Sequence, residues 1–207
     1  MDSRDLRLKN RYFLVRHGQS EANVQNLIVS NPAIGVENYG LTEKGKNQAR
    51  QAAENLRRLL VSEDGNISGR VLVVSSDFKR TRETAEIIHS ELRVMSPLRF
   101  ETGLRERRFG EFDMTCDQNY NVVVKQDSSD PTHTSNGCES VVSVVRRISG
   151  VVQELDSEAE KMIYILVSHG DPLCLLSMAF LGLPPNERIK SPMLDNGGVM
   201  ELKERSS

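Results

Sequence analysis

Two places in the chain set a histidine and a glycine at the end of an apolar run. Phe13-Leu14-Val15 leads into Arg16-His17-Gly18, and Ile165-Leu166-Val167-Ser168 leads into His169-Gly170. A third run, Val71-Leu72-Val73-Val74, leads into Ser75-Ser76-Asp77-Phe78-Lys79-Arg80. If each run is a strand that turns into a helix, two imidazoles and the guanidiniums of Arg16 and Arg80 meet beyond the strand ends, where open α/β sheets bind ligands. Backbone amides at such turns form an anion nest. This combination suits phosphoryl transfer: arginine forks grip the equatorial oxygens while a neutral imidazole attacks phosphorus. The arginines stay charged at any relevant pH and disfavour imidazolium beside them, so the nucleophile keeps its lone pair.

The elements needed to hold these residues are legible. Tyr12-Phe13-Leu14-Val15, Val71 to Val74 and Met162 to Val167 read as buried strands, and Val199 to Leu202 as a last edge strand. Thr42 is a fair N-cap for a helix carrying Ala49, Ala52, Ala53, Leu56, Leu59 and Leu60 at 3.6-residue spacing, broken at Asp64-Gly65-Asn66. Ser75-Ser76-Asp77 offers caps for a helix through Thr84, Ala85, Ile87, Ile88 and Leu92. Val141, Val144, Val145, Ile148, Val151, Val152 and Leu155 keep helical period, which overrides the strand preference of valine. Pro172 opens a helix that ends at Gly182-Leu-Pro-Pro. Strands separated by helices imply an α/β three-layer sandwich, a mostly parallel central sheet flanked by helices. The expectation is one domain over 1–207. The polar stretch 113–136, anchored by Val122-Val123-Val124, is read as an insertion or lid over the active site.

Composition narrows the class. The 207 residues carry 27 Lys+Arg against 29 Asp+Glu, a net charge of −2, with no basic field for nucleic acid and no polybasic membrane patch. No apolar run is long enough to span a bilayer, and no signal-peptide pattern opens the chain. The three cysteines, Cys116, Cys138 and Cys174, are an odd count without ligand-like spacing, which suits a reducing, cytoplasmic setting. No metal site and no cofactor is expected, since no carboxylate cluster is visible that would hold an ion.

Arg16-His17-Gly18-Gln19-Ser20-Glu21-Ala22-Asn23 resembles the signature of the histidine phosphatase, or phosphoglycerate-mutase-like, superfamily. Gly40-Leu41-Thr42-Glu43-Lys44-Gly45, Ser75-Ser76-Asp77-Phe78-Lys79-Arg80-Thr81-Arg82-Glu83-Thr84, Leu104-Arg105-Glu106-Arg107-Arg108-Phe109-Gly110 and Val167-Ser168-His169-Gly170 are similar to its later blocks, in the family order. The resemblance implies that His17 is the nucleophile and forms a phosphohistidine. It places Arg16, Arg80 and His169 around the phosphate, with Asn23 adding a side-chain donor. It makes Glu106 the acid that protonates the leaving oxygen and then the base that activates water. Arg80 takes the pocket role ahead of Arg82, because the family's arginine precedes the block's threonine by four. Gly137-Cys138-Glu139-Ser140 stands where the family often has Gly-Gly-Glu-Ser, which puts Glu139 at the pocket rim. Asn196-Gly197-Gly198 fits the family's late turn only loosely, and Gln19 to Ala22 departs from the acid-phosphatase branch.

The activity so implied is a metal-independent phosphomonoester hydrolase acting on a small phosphorylated metabolite. A mutase or sugar bisphosphatase of the same superfamily is the first alternative. Glu106 and Glu139 lie 33 positions apart, a short insert that favours hydrolysis. An inactive phosphate-binding or regulatory module, and a site open to phosphoproteins, are the others. A homodimer through a sheet edge is common among similar proteins, and nothing in the sequence specifies one. Plain readings accompany these: Glu101, Glu111 and Asp113 are close enough in sequence to replace Glu106, while His89, His133 and the Arg107-Arg108 pair read as solvated.

Overall fold

A computed structural model describes residues 8–61, 67, 70–184 and 193–203. Five strands form one sheet in the order β3-β2-β4-β1-β5: β1 (Arg11–Arg16), β2 (Arg70–Ser75), β3 (Arg99–Phe100), β4 (Met162–Ser168) and β5 (Val199–Glu201). β1, β2, β3 and β4 run parallel, and β5 pairs antiparallel with the β1 edge. The helices are α1 (Glu21–Val24), α2 (Pro32–Gly35), α3 (Glu43–Leu60), α4 (Lys79–Leu92), α5 (Tyr120–Ser129), α6 (Val141–Glu158) and α7 (Gly170–Phe180). This is the expected α/β sandwich. The expected helix break at 64–66 lies outside the described residues.

Both faces of the sheet are dry, which is why its strands read as unbroken apolar runs rather than alternating ones. Phe13, Val15, Val73, Ile163, Ile165 and Val167 point to the face covered by α3 and α4. Tyr12, Leu14, Val74, Tyr164 and Leu166 point to the opposite face, against α6 and α7. The valine stripe of α6 is core, with Val141, Val144, Ile148 and Val152 fully buried.

Capping follows the sequence at α3, adds a serine cap at α6 and departs from the sequence at α4. Thr42 Oγ1 accepts from Gly45 N at 3.0 Å to start α3, and Ser140 caps α6 through Ser143 N. The N-cap of α4 is Phe78 rather than Ser75, Ser76 or Asp77, and it makes no side-chain cap bond. The serines are withdrawn because their hydroxyls serve the sheet end: Ser75 Oγ bonds Ser76 O, and Ser76 Oγ bonds His169.

Stretch 113–136 contains α5 and packs its Val123 with Ile28, Phe109 and Cys138 in a small cluster of its own. Asp113 ties its start to the backbone amides of Ser30 and Asn31. Tyr120 OH donates to Asp171 Oδ1 at 3.1 Å. Asp127 accepts both prongs of Arg107 at 2.7 and 2.8 Å. The stretch is thus tied to residues one and two places after Glu106 and His169. No helix among the described residues is long and apolar enough to cross a membrane.

Candidate active site

The β1–β4 register pairs Arg16 with Ser168, so the next residues, His17 and His169, emerge side by side at the carboxyl edge of the sheet. His17 N donates to Ser168 O at 3.1 Å, and the two imidazoles stand edge to face at 5.3 Å between centroids. Arg80 enters from the first turn of α4. Glu106 enters from the irregular stretch after β3. The loop after β1 crosses α3 so closely that a Cβ on Gly18 would sit 2.2 Å from Gly45 O, and one on Gly45 would sit 2.0 Å from Gln19 O. Only glycine at both places lets this loop lie on the helix that supports it.

Hydrogen bonds define the state of His17. Its Nδ1 lies 2.7 Å from Gly18 O, an acceptor, so the ring proton is assigned to Nδ1. Its Nε2 then carries the lone pair and accepts from Arg80 Nε at 3.1 Å. Burial first, then the charges of Arg80 and Arg16, hold this imidazole well below the ordinary histidine range. His169 is held low by burial and by Arg80. Its Nε2 bonds Ser76 Oγ at 3.1 Å, and its Nδ1 faces Glu106 Oε2 at 3.8 Å. Glu106 Oε2 is also 3.8 Å from Arg80 Nη2. Burial raises the Glu106 carboxyl above its usual range despite Arg80 nearby. Arg80 itself is lowered to about 10 by burial and so remains a cation at neutral pH.

Among the described residues, Arg16 Nε, Arg80 Nη1 and His169 Nδ1 are buried without a hydrogen-bond partner. Each such group costs roughly 1–3 kcal/mol unless a ligand satisfies it. One arm of each guanidinium is anchored, Arg16 Nη1 on Leu194 O at 2.7 Å and Arg80 Nη2 on Val29 O at 3.0 Å. The two guanidiniums supply positive charge suited to a phosphate dianion, and burial, by raising the Glu106 carboxyl, works against an opposing negative charge.

The other expected residues fall at varying distances from this centre. Asn23 is near: Asn196 Nδ2 bonds both His17 O at 3.2 Å and Asn23 Oδ1 at 3.4 Å. The Asn23 oxygen also closes a capping box with Ser20, so its amide nitrogen is the donor it has to offer. Glu139 turns its carboxylate onto Arg147 rather than toward the imidazoles. Arg82 points away and bonds Val36 O. Glu101 pairs with Arg99, Glu111 accepts from Asn136, and Asp113 is bound to Ser30 and Asn31, so none of these stands in for Glu106.

Three plain readings need correction. Arg107 is fully buried in a bidentate pair with Asp127, because that carboxylate is buried opposite it; only Arg108 is exposed. His133 is also covered, with Nε2 2.9 Å from Asp127 Oδ1, and His89 Nε2 bonds Ser96 O. Sequence reasoning misses Ser76, which holds His169, and Thr84, whose hydroxyl accepts from Gly18 N at 3.2 Å. It also misses Arg147, whose one signal is a cation within the apolar stripe of α6.

Comparison with known proteins agrees with this geometry. The family model "Histidine phosphatase superfamily (branch 1)" matches residues 12–207. The chain belongs to the histidine phosphatase superfamily. A curated relative from Escherichia coli, "Probable phosphoglycerate mutase GpmB", is 28% identical over 180 residues, 83% of this chain and 75% of its own length. Among solved structures, a mycobacterial glucosyl-3-phosphoglycerate phosphatase complexed with VO3 aligns with TM-score 0.72 and 27% identity, covering 92% of this chain and 91% of that one. "Mycobacterial hydrolase 1" aligns with TM-score 0.74 and 26% identity, covering 92% and 87%. The histidine phosphatase described here is accordingly a phosphatase-class enzyme with the phosphoglycerate-mutase-like fold expected from its sequence blocks.

Proposed function

We propose that the chain hydrolyses phosphomonoesters of small metabolites through a phosphohistidine at His17, in a mechanism that calls for no metal. The observation that carries this reading is the set of three buried atoms without a partner among the described residues around a neutral imidazole: donors on Arg16 and Arg80, and His169 Nδ1, a donor in the tautomer whose Nε2 accepts from Ser76 Oγ. A phosphate dianion takes hydrogen bonds from those donors, and Arg80 Nε swings from His17 Nε2 onto a phosphate oxygen. The freed Nε2 lone pair forms the N–P bond as the ester P–O bond breaks. Glu106 passes its proton to the departing alkoxide. Glu106, now a carboxylate, takes a proton from water while that water attacks phosphorus. The N–P bond breaks, inorganic phosphate forms, and both His17 and Glu106 return to their starting states. Stretch 113–136, pinned beside Glu106 and His169, serves in this reading as the cover of a site for small esters.

A mutase is the competing reading, favoured by likeness to the probable phosphoglycerate mutase. The likeness to the mycobacterial phosphatase favours hydrolysis. p-Nitrophenyl phosphate hydrolysis in EDTA, with wild type beside His17→Ala, tests the proposal. Activity that survives chelation and disappears in the variant is expected. Activity retained in His17→Ala refutes the phosphohistidine. Interconversion of 2- and 3-phosphoglycerate without release of phosphate assigns the mutase instead.

A further inference from the structure

Glu106 belongs to a segment, residues 105–109, that lies in no helix or strand. Its backbone carbonyls therefore need partners from elsewhere, and one side chain supplies two of them and a third just upstream. Arg147, on α6, donates from Nη1 to Gly103 O and Arg105 O, both at 2.8 Å, and from Nη2 to Glu106 O at 3.2 Å. The rest of the guanidinium is held by Glu139, Nε to Oε1 at 2.8 Å and Nη2 to Oε2 at 3.0 Å. Glu139 also grips the far side of the segment: its backbone N donates to Arg108 O at 2.8 Å, and its Oε2 accepts from Arg108 N at 3.4 Å. Close approach makes this reach feasible, because a Cβ at Gly103 would fall 2.4 Å from Val151 Cγ2.

We propose that Arg147, oriented by Glu139, is the positioning residue that sets where the Glu106 carboxyl stands over the leaving oxygen. The inference rests on the hydrolase reading above, which gives Glu106 its acid role. A general acid must come within hydrogen-bond reach of the oxygen it protonates. Three carbonyls fixed by one planar fork define the backbone on which Glu106 hangs. A lysine keeps the charge but replaces the fork with a single flexible point, so it separates position from electrostatics.

Wild type, Arg147→Lys and Arg147→Met are compared on p-nitrophenyl phosphate and glycerol 2-phosphate, each alone and combined with Glu106→Gln. Amide hydrogen exchange over residues 103–108 is followed in the same proteins. Both variants should lower kcat on the alkyl ester by about tenfold to a hundredfold, the cost of a misplaced catalytic group. On the aryl ester, whose leaving group needs little protonation, the change should stay under about threefold. Exchange should rise at 103–108 and not in β1 or β4, and neither variant should add to the loss in Glu106→Gln. Equal losses on both esters, losses that multiply with Glu106→Gln, or full activity in Arg147→Lys overturn the proposal. If wild type hydrolyses neither ester, the hydrolase reading falls and exchange alone decides the positioning. Unchanged exchange at 103–108 in Arg147→Lys then overturns it.

Discussion

His17 and Glu106 need opposite protonation states within one small cluster, and burial pushes each in the direction it needs. Loss of solvent disfavours whichever form is charged, so it holds the imidazole well below the ordinary histidine range and raises the carboxyl above the ordinary glutamate range. The arginines add to the first effect and oppose the second. The sign of the pH dependence follows. Glu106 works as an acid only while protonated, so kcat on an alkyl ester should fall as pH rises through its pKa. That limb should lie above the ordinary glutamate value of about 4.3 and move higher when the substrate dianion is bound. Arg80 titrates near 10 and contributes nothing to a limb below that. A pH–rate profile of kcat with glycerol 2-phosphate should therefore show a basic limb in wild type and none in Glu106→Gln. A limb that persists in Glu106→Gln assigns the titration to another group. With p-nitrophenyl phosphate the substitution should matter far less.

At the scale of elements, the buried Arg107–Asp127 pair links the Glu106 segment to α5. Both side chains are 0–1 % exposed, and Asp171 Oδ2 stands 3.7 Å from the same guanidinium. Burial pushes Asp171 up to about 8, so Asp171 has a proton to give up if Asp127 is lost. Asp127→Ala should then cost about 3 kcal/mol, the lower end for breaking a buried pair, and lower Tm by roughly 6–12 °C in a chain of this size. Thermal unfolding followed by circular dichroism checks this, and Arg107→Met/Asp127→Leu should recover most of the loss. A single variant with unchanged Tm would show that the pair is not structural. This pair also marks where sequence reading stops. Arginines are mostly exposed, and nothing about Asp127, 20 residues on, announces a buried partner. His17, Arg80 and His169 are legible for the contrary reason: each sits at a strand end whose apolar run is unmistakable. β3, only two residues long, has too little pattern to see. Arg147 stays hidden because, apart from Glu139, its partners are backbone carbonyls, which carry no sequence signal.

Seen whole, the molecule is a sheet dry on both faces, and its core strands were readable because burial on both sides removes the alternation that would obscure them. The order of strands is another matter, since periodicity does not say which strand neighbours which. β1 lies between β4 and β5, so residues 13–15 pair with 165–167 on one side and 199–201 on the other. Gly197 N closes the same strand end by donating to both Arg16 O and His17 O at 3.1 Å. These pairings bear on the protein's birth. A chain leaving the ribosome exposes β1 long before either neighbour has been synthesised, and contacts so distant in sequence close slowly. The phosphate cluster therefore assembles only after β4 and then the 194–201 segment have been made and flank β1. Until then the nascent chain presents an unpaired apolar strand, so a pause in translation before β4 prolongs its exposure to aggregation.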